Sequence, residues 1–324
     1  MSSPLRVAVT GAAGNIGYSL LWRLAGGDCF GADQPIILQL LEIPQVMDKL
    51  EGVVMELVDS ARPIVHDIVA TDDPRKAFDG ADYVFLVGSR PRTANMDRAD
   101  LVAANGPIFV GQGKALNDVA GSDVRVLVVG NPCNTNAMIA AHHAPDIPKH
   151  RFTAMTRLDQ NRACGQLAAK AGVPVADVHD VVVWGNHSNQ MYPDVTYATV
   201  GGRPALRIFD EAWLRGEFLQ TVATRGKAVI KARGASSAAS AASSAIDVMH
   251  DWYHGSGGHM VSMAVWSKGW YGIPDGLICS VPVRCEGGDY EVITDLELDD
   301  FGREKLDKNI SDLSAEREAV ADLL

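Results

Sequence analysis

Cysteine is scarce in this sequence, and its few residues form no pattern. The five cysteines in 324 residues are scattered, odd in number and never spaced as CxxC. Disulfide frameworks and zinc knuckles both need paired or regularly spaced cysteines. We therefore expect reduced thiols, as in cytoplasmic proteins, with neither a disulfide framework nor a zinc site.

Positive charge is also in short supply. Lys and Arg number 29 against 40 Asp and Glu, which gives a formal net charge of -11 and a pI near 5.2. Nucleic acids and anionic membrane surfaces are bound through an excess of clustered Lys and Arg. The composition argues against either as the main partner, so any anionic ligand must be bound by a local group of cations.

The sequence contains no long apolar run of the kind that enters a membrane. The N-terminal segment MSSPLRVAVTGAAGNIG is interrupted by glycines and Asn15, unlike the apolar core of a secretory signal. The longest uncharged run, Val126 to Pro145, contains GNPCNTN, whose proline and asparagines are costly in hydrocarbon. We expect neither an export signal nor a membrane span, and hence a cytoplasmic location.

What the first half of the chain does contain is an alternation of apolar strands and helices. Unalternated apolar runs are typical of strands buried on both faces of a parallel sheet. They predict a doubly wound α/β domain over residues 1–155. The predicted strands are RVAVTG, IILQLLEI, YVFLVGS, RVLVVGNP and FTAMT, and the predicted helices are Asn15–Leu24, Val46–Ser60, Asp97–Leu116 and Thr135–His143.

The pattern changes after residue 155, and we predict a second, mixed α/β domain over residues 156–324. Its predicted elements are a helix through LDQNRACGQLAAKAG, a strand through DVVVW, a hairpin through VTYATVGGRPALRIF and a helical region from Asp210 to Tyr253. A chain of 324 residues exceeds the size at which one core stops growing, which agrees with two domains.

A glycine-rich segment, VAVTGAAGNIG, follows the first predicted strand and opens the first predicted helix. Gly11, Gly14 and Gly17 permit close approach of the backbone to a pyrophosphate, and the helix N-terminus supplies positive potential. Glu42 closes the second predicted strand, where an acid accepts hydrogen bonds from ribose hydroxyls and repels a 2′-phosphate. The pattern predicts NAD binding in preference to NADP; the alternative is a tight turn without a ligand.

Two other classes of nucleotide-binding protein are disfavoured. The Gly-Lys pairs at Gly113 and Gly226 are each followed by alanine, so the hydroxyl of a P-loop is missing. None of the seven tyrosines is followed four positions later by the lysine that short-chain dehydrogenases and epimerases use.

Three residues are candidates for acid–base chemistry and carboxylate binding. His187 follows the strand DVVVW in the segment WGNHS, while Asp159 and Arg162, three residues apart in RLDQNR, share one helix face. An Asp can orient and stabilise an imidazolium, and an Arg can bind a carboxylate through two hydrogen bonds. Beside a nicotinamide, these groups suit hydride transfer from a 2-hydroxy acid. The alternatives are a structural histidine and an exposed ion pair.

The segment SRPRTANMDRAD gathers Arg90, Arg92 and Arg98 in an otherwise acidic chain. Charges farther away than about 8 Å are largely screened at physiological salt, so cations at contact range decide what an anion experiences. The segment is either an anion-binding loop or a solvated polar loop.

Several segments together resemble the cytoplasmic-type malate dehydrogenases of the lactate/malate dehydrogenase superfamily. The resemblance implies a Rossmann NAD-binding domain followed by an α/β catalytic domain, a homodimer, and reversible oxidation of (S)-malate to oxaloacetate by NAD, a reaction of the tricarboxylic acid cycle. The matching segments, in order from about residue 6 to residue 320, are TGAAGNIGYSLL, LLEIPQ, PRTANMDRADLVAANGPIF, VLVVGNPCNTNA, FTAMTRLDQNRA, VWGNHS and ARGASSAASAA.

The resemblance also implies a role for each residue at a matching position. His187 matches the proton acceptor, Asp159 its orienting partner and Arg162 the residue that holds the C1 carboxylate. Arg98 matches the arginine that polarises the 2-oxo oxygen, and Arg92 the one that selects the second carboxylate; Arg90 has no assigned role. Asn131 is implied to contact both substrate and cofactor. The implied cofactor contacts are Gly11, Gly14, Asn15, Ile16, Gly17, Glu42, Asn105, Gln112, Val129 and Asn131.

The sequence departs from that family pattern at a few positions that bear on substrate preference. Asn95 stands where a glycine usually precedes the methionine, and because Asn tolerates left-handed backbone we expect loop closure to be slowed rather than lost. Gln160 follows Asp159 at a position where family members commonly differ. Trp266 and Trp270 occupy positions at which we expect smaller residues in that family.

Three further features have competing interpretations. His250 and His254 in HDWYH have metal-ligand spacing, but no glutamate completes an HExxH motif and we expect no metal site. Cys133 is either a reactive thiol or a small buried apolar residue. The apolar stripe of the predicted helix Val46–Ser60 fits either the core or a dimer interface, and the resemblance favours the interface.

Three functions are compatible with these observations. An NAD-dependent malate dehydrogenase leads, followed by the same scaffold acting on another 2-hydroxy acid such as lactate, and by a catalytically silent nucleotide-binding protein. Arg92 separates the first two, because a substrate with one carboxylate would leave a buried guanidinium unpaired. The presence of His187, Asp159 and Arg162 argues against the third.

Overall fold

The computed structural model describes residues 3–90 and 98–324, except for the side chains of residues 98 and 99. Its first elements alternate strand and helix. They are β1 (Leu5–Thr10), α1 (Asn15–Gly26), β2 (Ile36–Leu41), α2 (Met47–Asp59), β3 (Val65–Thr71), α3 (Pro74–Ala77), β4 (Tyr83–Leu86), α4 (Arg98–Val119), β5 (Arg125–Val128), α5 (Cys133–His142) and β6 (Phe152–Ala154).

The remaining elements mix short strands with longer helices. They are α6 (Arg157–Ala171), β7 (Val178–His179), β8 (Val182–Trp184), β9 (Tyr192–Asp194), β10 (Thr199–Val200), β11 (Arg203–Pro204), α7 (Glu211–Trp213), α8 (Leu219–Arg233), α9 (Ala239–His254), β12 (Val261–Trp266), β13 (Ile278–Glu286), β14 (Asp289–Val292) and α10 (Asp300–Ala319).

These elements form two compact units. The first comprises Met1–Ala154, Ala238–His250 and Ala315–Leu324, and the second comprises Met155–Ser237 and Asp251–Ser314. The first division of the chain falls beside the predicted boundary after residue 155. The two later segments of the first unit come from within the predicted second domain.

The sheet of the first unit contains six parallel strands in the order β6-β5-β4-β1-β2-β3. This confirms the predicted doubly wound, Rossmann-type domain. Strand β3 was not predicted from the sequence, because its residues before Thr71 are exposed or half-buried and include the polar His66 and Asp67. An edge strand of this kind lacks the continuous apolar run by which the other strands were predicted.

The last ten residues of the chain pack within the first unit. Glu316, which is 8% exposed, accepts a hydrogen bond from the hydroxyl of Thr135 in α5. The carbonyl of Leu323 bonds the Nε2 atom of His143 at 2.8 Å, and the Leu323 side chain covers Gly106 in α4. Residues close to the C-terminus therefore complete the packing around α4 and α5.

The second unit is built on three antiparallel strand sets: β12-β13-β14, β8-β9 and β11-β10-β7. Strands β10 and β11 form the predicted hairpin. The predicted helical region from Asp210 to Tyr253 is not continuous, because Gly234 adopts a left-handed conformation (φ 73°) and ends α8 before α9 begins. This unit agrees with the predicted mixed α/β domain.

All five cysteines are free. Burial raises the pKa of the Cys279 and Cys285 thiols to about 12, so both stay protonated and weakly nucleophilic near neutral pH. No helix in residues 3–90 and 98–324 combines the length and hydrophobicity that a bilayer span requires.

Candidate active site

The second unit brings together His187, Asp159 and Arg162. Asp159 lies in the first turn of α6, and its carboxylate is 2% exposed. One carboxylate oxygen bonds Nδ1 of His187 at 2.5 Å, and the other accepts a hydrogen bond from Nη1 of Arg162 at 3.2 Å. The His187 and Arg162 side chains are 20% and 14% exposed. The three residues therefore form one partly buried cluster, and Asp159 and Arg162 are not an exposed surface pair.

The geometry of the cluster defines what each group can do. A carboxylate at Nδ1 holds the proton on that nitrogen and orients the ring, which makes Nε2 the basic nitrogen of a neutral imidazole. A buried carboxylate also stabilises the imidazolium that forms when Nε2 takes a proton. A guanidinium carries five N–H donors, so Arg162 can bind Asp159 and an external carboxylate at the same time.

A tight turn after β8 carries His187. Gly185 has a φ of 99°, and a Cβ atom there would lie 2.1 Å from Oδ1 of Asn309. Only glycine fits both the backbone conformation and this contact. Within the turn, the Ser188 hydroxyl donates to Oδ1 of Asn186 at 2.6 Å and accepts from the N–H of Gln190 at 3.0 Å. The turn is thus held by its own side chains as well as by its backbone.

A buried serine on β12 links the helix that carries Asp159 to the strand that precedes His187. Oε1 of Gln160 accepts a hydrogen bond from the N–H of Ser262 at 2.8 Å. The hydroxyl of Ser262 in turn accepts one from the N–H of Val183 at 2.8 Å. Gln160, which departs from the family pattern, therefore has a structural role beside Asp159. The only feature of the sequence VSMAVW that could have indicated this link is its single polar residue, Ser262.

A second serine, on β13, makes a parallel link. The hydroxyls of Thr156 and Ser280 lie 2.8 Å apart, and both residues are completely buried. Ser280 also exchanges two backbone hydrogen bonds with Gly185, at 2.7 and 3.1 Å. The residue that precedes α6 and the residue that opens the His187 turn are thus held by one serine.

The segment Val265–Gly272, which contains Trp266 and Trp270, packs beside β8. The ring of Tyr271, which has a φ of 54°, meets Trp184 edge to face with centroids 4.7 Å apart. Trp184 is fully buried and donates from Nε1 to Asp194 at 3.1 Å. Trp266 ends β12 and packs close to Gly276. The segment supports the strand that leads to His187.

In the first unit, the strand order reverses at β1, which lies between β2 and β4. Ligands of doubly wound sheets bind at the carboxyl ends of the strands at such a switch point. Gly11 follows β1 with a φ of 65°, and a Cβ atom there would lie 2.7 Å from Cα of Gly88, which follows β4. Gly88 also donates its N–H to the hydroxyl of Thr10 at 2.9 Å. Gly88 was not predicted from the sequence, because a single glycine after a strand does not form a recognisable motif.

The N-terminus of α1 is suited to an anion. A Cβ atom on Gly17 would lie 2.2 Å from the carbonyl oxygen of Gly11, so the loop and the helix pack more closely than any side chain permits. The N-cap is Gly14, with no side-chain hydrogen bond, and the first turn contains no acidic residue. Asn15 is exposed and Ile16 half-buried. Backbone N–H groups and positive potential are thus presented together.

Glu42 lies directly beside the glycine loop. Its Oε1 atom accepts a hydrogen bond from the N–H of Ala13 at 2.9 Å, and Oε2 accepts one from Ile43 at 3.3 Å. A carboxylate has about four acceptor positions, so two N–H groups leave capacity for the hydroxyls of a ribose. The position agrees with the predicted preference for NAD over NADP.

Asn105 bonds backbone at two points around the carboxyl ends of β4 and β5. Its Oδ1 atom accepts from the N–H of Arg90 at 2.7 Å, and its Nδ2 atom donates to the carbonyl of Asn131 at 3.1 Å. Asn105 is completely buried, whereas Asn131 and Arg90 are exposed. Val129 is buried and its N–H donates to the carbonyl of Leu86 at 2.9 Å. Asn105 therefore holds neighbouring backbone in place, and Asn131 presents its side chain at the surface.

Four further residues named from the sequence belong to this part of the chain: Arg92, Asn95, Arg98 and Gln112. Gln112 is 6% exposed, and its Oε1 atom is buried without a hydrogen-bond partner in the described structure. Arg98 is the first residue of α4, but its side chain is not described. Arg92 and Asn95 lie outside the described residues.

The structure shows the surroundings of Cys133 and of the pair His250 and His254, for which the sequence allowed two interpretations each. Cys133 is 2% exposed at the start of α5, as expected of a small buried residue. Within the described part of the chain, no group of three or more His, Cys, Asp and Glu side chains is arranged to hold a metal ion, and this includes the surroundings of His250 and His254.

Two models of known protein families match this chain. Residues 5–153 match the family model of the lactate/malate dehydrogenase NAD-binding domain, and residues 156–324 match that of the lactate/malate dehydrogenase alpha/beta C-terminal domain. The chain therefore belongs to the lactate/malate dehydrogenase family, and it is an oxidoreductase that acts on a small hydroxy or keto acid.

Solved structures of two relatives are similar over almost the whole chain. Malate dehydrogenase from Naegleria fowleri is 48% identical, with a TM-score of 0.97 and 100% of both chains covered. Lactate dehydrogenase from Trichomonas vaginalis, solved with NADH and oxamate, is 39% identical, with a TM-score of 0.94 and 98% of both chains covered. Malate dehydrogenase from Plasmodium falciparum, at 20% identity and a TM-score of 0.82, shares the fold.

The family identifies the cofactor as NAD, and the residues of the first unit fit it. The close contacts of Gly11 and Gly17 leave room only for backbone beside a pyrophosphate, and the N-terminus of α1 offers N–H donors. Glu42 has acceptor positions that can bind the hydroxyls of a ribose, and the buried Oε1 atom of Gln112 can accept a hydrogen bond.

The glycine contact predicts the effect of Gly11→Ala on cofactor binding. A Cβ atom at a φ of 65° and 2.7 Å from Gly88 forces the loop to shift. Strain of this kind costs about 1–3 kcal/mol, so we expect NADH affinity to fall by about 5- to 150-fold in a fluorescence titration. Gly165→Ala should leave affinity unchanged, because Gly165 lies in the middle of α6 and, apart from its own helix backbone, no atom of the described residues lies within 4 Å of the added methyl group. Equal dissociation constants for the two variants would refute the assigned role of the loop.

Proposed function

We propose that the chain is an NAD-dependent malate dehydrogenase, which reversibly oxidises (S)-malate to oxaloacetate in the cytoplasm. The observation that carries the proposal is the cluster in which Asp159 binds both His187 and Arg162. A proton acceptor and a carboxylate-binding guanidinium held by one buried acid are what a 2-hydroxy acid requires at C2 and C1.

In the proposed mechanism, Arg162 binds the C1 carboxylate and places the C2 hydroxyl next to His187. Nε2 of His187 then takes the hydroxyl proton, and Asp159 stabilises the imidazolium at Nδ1. NAD, held by the glycine loop and Glu42, would supply the acceptor for the hydride that leaves C2. In the reverse direction, His187 returns the proton to the carbonyl oxygen. Arg98 and Asn131 are proposed to contact the reacting oxygen and the substrate, and Arg92 to bind the second carboxylate.

A dehydrogenase of another 2-hydroxy acid, such as lactate, is the second candidate. The 39% identity to the Trichomonas vaginalis lactate dehydrogenase over 98% of both chains favours keeping it. The two activities share the proton acceptor and the C1 carboxylate site. They differ at the group that faces the rest of the substrate, which we assign to Arg92.

A steady-state assay that compares oxaloacetate with pyruvate, each with NADH, tests this choice. A site with a guanidinium for the second carboxylate disfavours pyruvate, and such discrimination can reach about 10⁴-fold in kcat/KM. We expect strong preference for oxaloacetate, and Arg92→Leu should reduce or reverse it. Equal efficiency with pyruvate would overturn the malate assignment, and inactivity with both substrates despite NADH binding would revive the catalytically silent alternative.

The variant Asp159→Asn tests the role of the shared carboxylate. An amide cannot stabilise the imidazolium, so kcat should fall by about 10²- to 10⁴-fold while NADH affinity stays the same. Glu211→Gln is the matched control, because Glu211 is 73% exposed and its ion-pair partner Arg215 is 42% exposed. Retention of wild-type kcat by Asp159→Asn would contradict the mechanism.

We propose that the protein is a homodimer that uses α2. One face of α2 is buried through Leu50, Val53 and Leu57, whereas Met55 and Val58 on its other side are 56% and 64% exposed. Large apolar side chains on a helix are consistent with coverage by a second copy.

The dimer proposal predicts that Val58→Glu weakens association. A carboxylate at the centre of an apolar interface is costly unless it is paired. Light scattering coupled to size-exclusion chromatography should give about twice 34.6 kDa for the wild type and a mass that moves toward 34.6 kDa for the variant. Val175→Glu, at a valine that is 57% exposed in the second unit, should remain dimeric. A monomeric wild type would refute the proposal.

A further inference from the structure

Asn309, in the middle of α10, lies directly against the turn that carries His187. It is completely buried. Its Oδ1 atom accepts a hydrogen bond from the N–H of Asn186 at 3.1 Å, and its Nδ2 atom donates to the carbonyl of Gln190 at 2.8 Å. One amide therefore bonds the backbone on both sides of His187.

The same amide explains the glycine at the start of the turn. A Cβ atom on Gly185 would lie 2.1 Å from Oδ1, 2.2 Å from Cγ and 2.7 Å from Cβ of Asn309. The Asn309 side chain thus occupies the space that any other residue at position 185 would need. The turn and α10 fit each other at van der Waals contact as well as through hydrogen bonds.

The chemistry of the contact requires an amide. Nδ2 faces two carbonyl oxygens, those of Gln190 and of Lys305 at 2.9 Å, and Oδ1 faces an N–H group. A carboxylate would present an oxygen to both carbonyls, and a methyl group would remove the hydrogen bonds that Asn309 makes to the N–H of Asn186 and the carbonyl of Gln190. Asparagine has the donor and the acceptor at the required distance.

We propose that Asn309 is a positioning residue for His187. The ring of His187 is fixed at Nδ1 by Asp159, and its backbone is fixed by Asn309, so that Nε2 is presented in one orientation. The consequence for turnover rests on the proposed function, whereas the consequence for the His187–Asp159 hydrogen bond does not. A shift of about 1 Å in a catalytic group can cost about 10²-fold in rate.

The test uses Asn309→Asp, which keeps the size of the side chain and loses the donor, and Asn309→Ala, which loses both contacts. Leu313→Ala is the matched control, because Leu313 lies one turn further along α10 and is 3% exposed. It should reduce stability without changing the turn. All variants are assayed well below their unfolding temperatures, with the active fraction counted by NADH titration.

Per NADH-binding site, both Asn309 variants should show kcat reduced by about 10- to 100-fold with unchanged NADH affinity. The deuterium isotope effect on kcat, measured with NADH deuterated at the transferred position, should be at least as large as in the wild type, because the chemical step has slowed. Leu313→Ala should keep the wild-type kcat. Wild-type kcat in Asn309→Asp, or an equal loss in Leu313→Ala, would overturn the proposal; Asn309→Asp decides if Asn309→Ala does not fold.

Proton NMR of the Nδ1–H group of His187, identified by its loss in His187→Gln, tests the positioning without reference to turnover. The downfield signal should be present in the wild type and Leu313→Ala, and broadened or lost in both Asn309 variants. If the wild type proves inactive on oxaloacetate and pyruvate but the signal changes, the proposed function fails and the positioning stands. A signal that is unchanged in the Asn309 variants refutes the positioning, whatever their kcat.

Discussion

The burial of one carboxylate, that of Asp159, is the constraint on which the candidate active site depends. An ionised group with 2% exposure is tolerated only when it is paired and hydrogen-bonded. His187 and Arg162 meet that requirement, one at each oxygen. The same contacts that stabilise the buried charge orient a base and a guanidinium, so the electrostatic demand of folding and the geometry needed for chemistry are met by one arrangement.

The rest of the second unit keeps these partners at a fixed separation. Ser262 and Ser280 place hydroxyl groups inside an apolar sheet. The Ser262 hydroxyl bonds the β8 side and its backbone N–H the α6 side, whereas the Ser280 hydroxyl bonds Thr156 before α6 and its backbone bonds Gly185 after β8. Buried hydroxyls are costly when unpaired, so these links specify one register between helix and strand. Asn309 does the same for the turn that follows β8.

Much of this could be predicted from the sequence, and the rest failed for identifiable reasons. Glycines after the first strand, Glu42 after the second, and the spacing of Asp159 and Arg162 are local patterns with a defined chemistry. In contrast, β3 is an edge strand without an apolar run, and Asn309 is a single polar residue on a long helix. Its partners in the turn, Asn186 and Gln190, lie more than a hundred residues away in the sequence. Contacts of that kind have no sequence period, so only the fold reveals them.

The first unit is assembled from segments that lie far apart in the sequence, and this affects how it can fold during synthesis of the chain. Glu316 and Leu323 bond residues of α5 and its end, so the NAD-binding unit recruits residues 315–324 to finish its packing. Translation proceeds from the N-terminus, and the sheet of this unit is complete at Ala154, long before those residues exist. The nascent unit must therefore wait until residues 315–324 have been made, with the surface around α4 and α5 still uncovered.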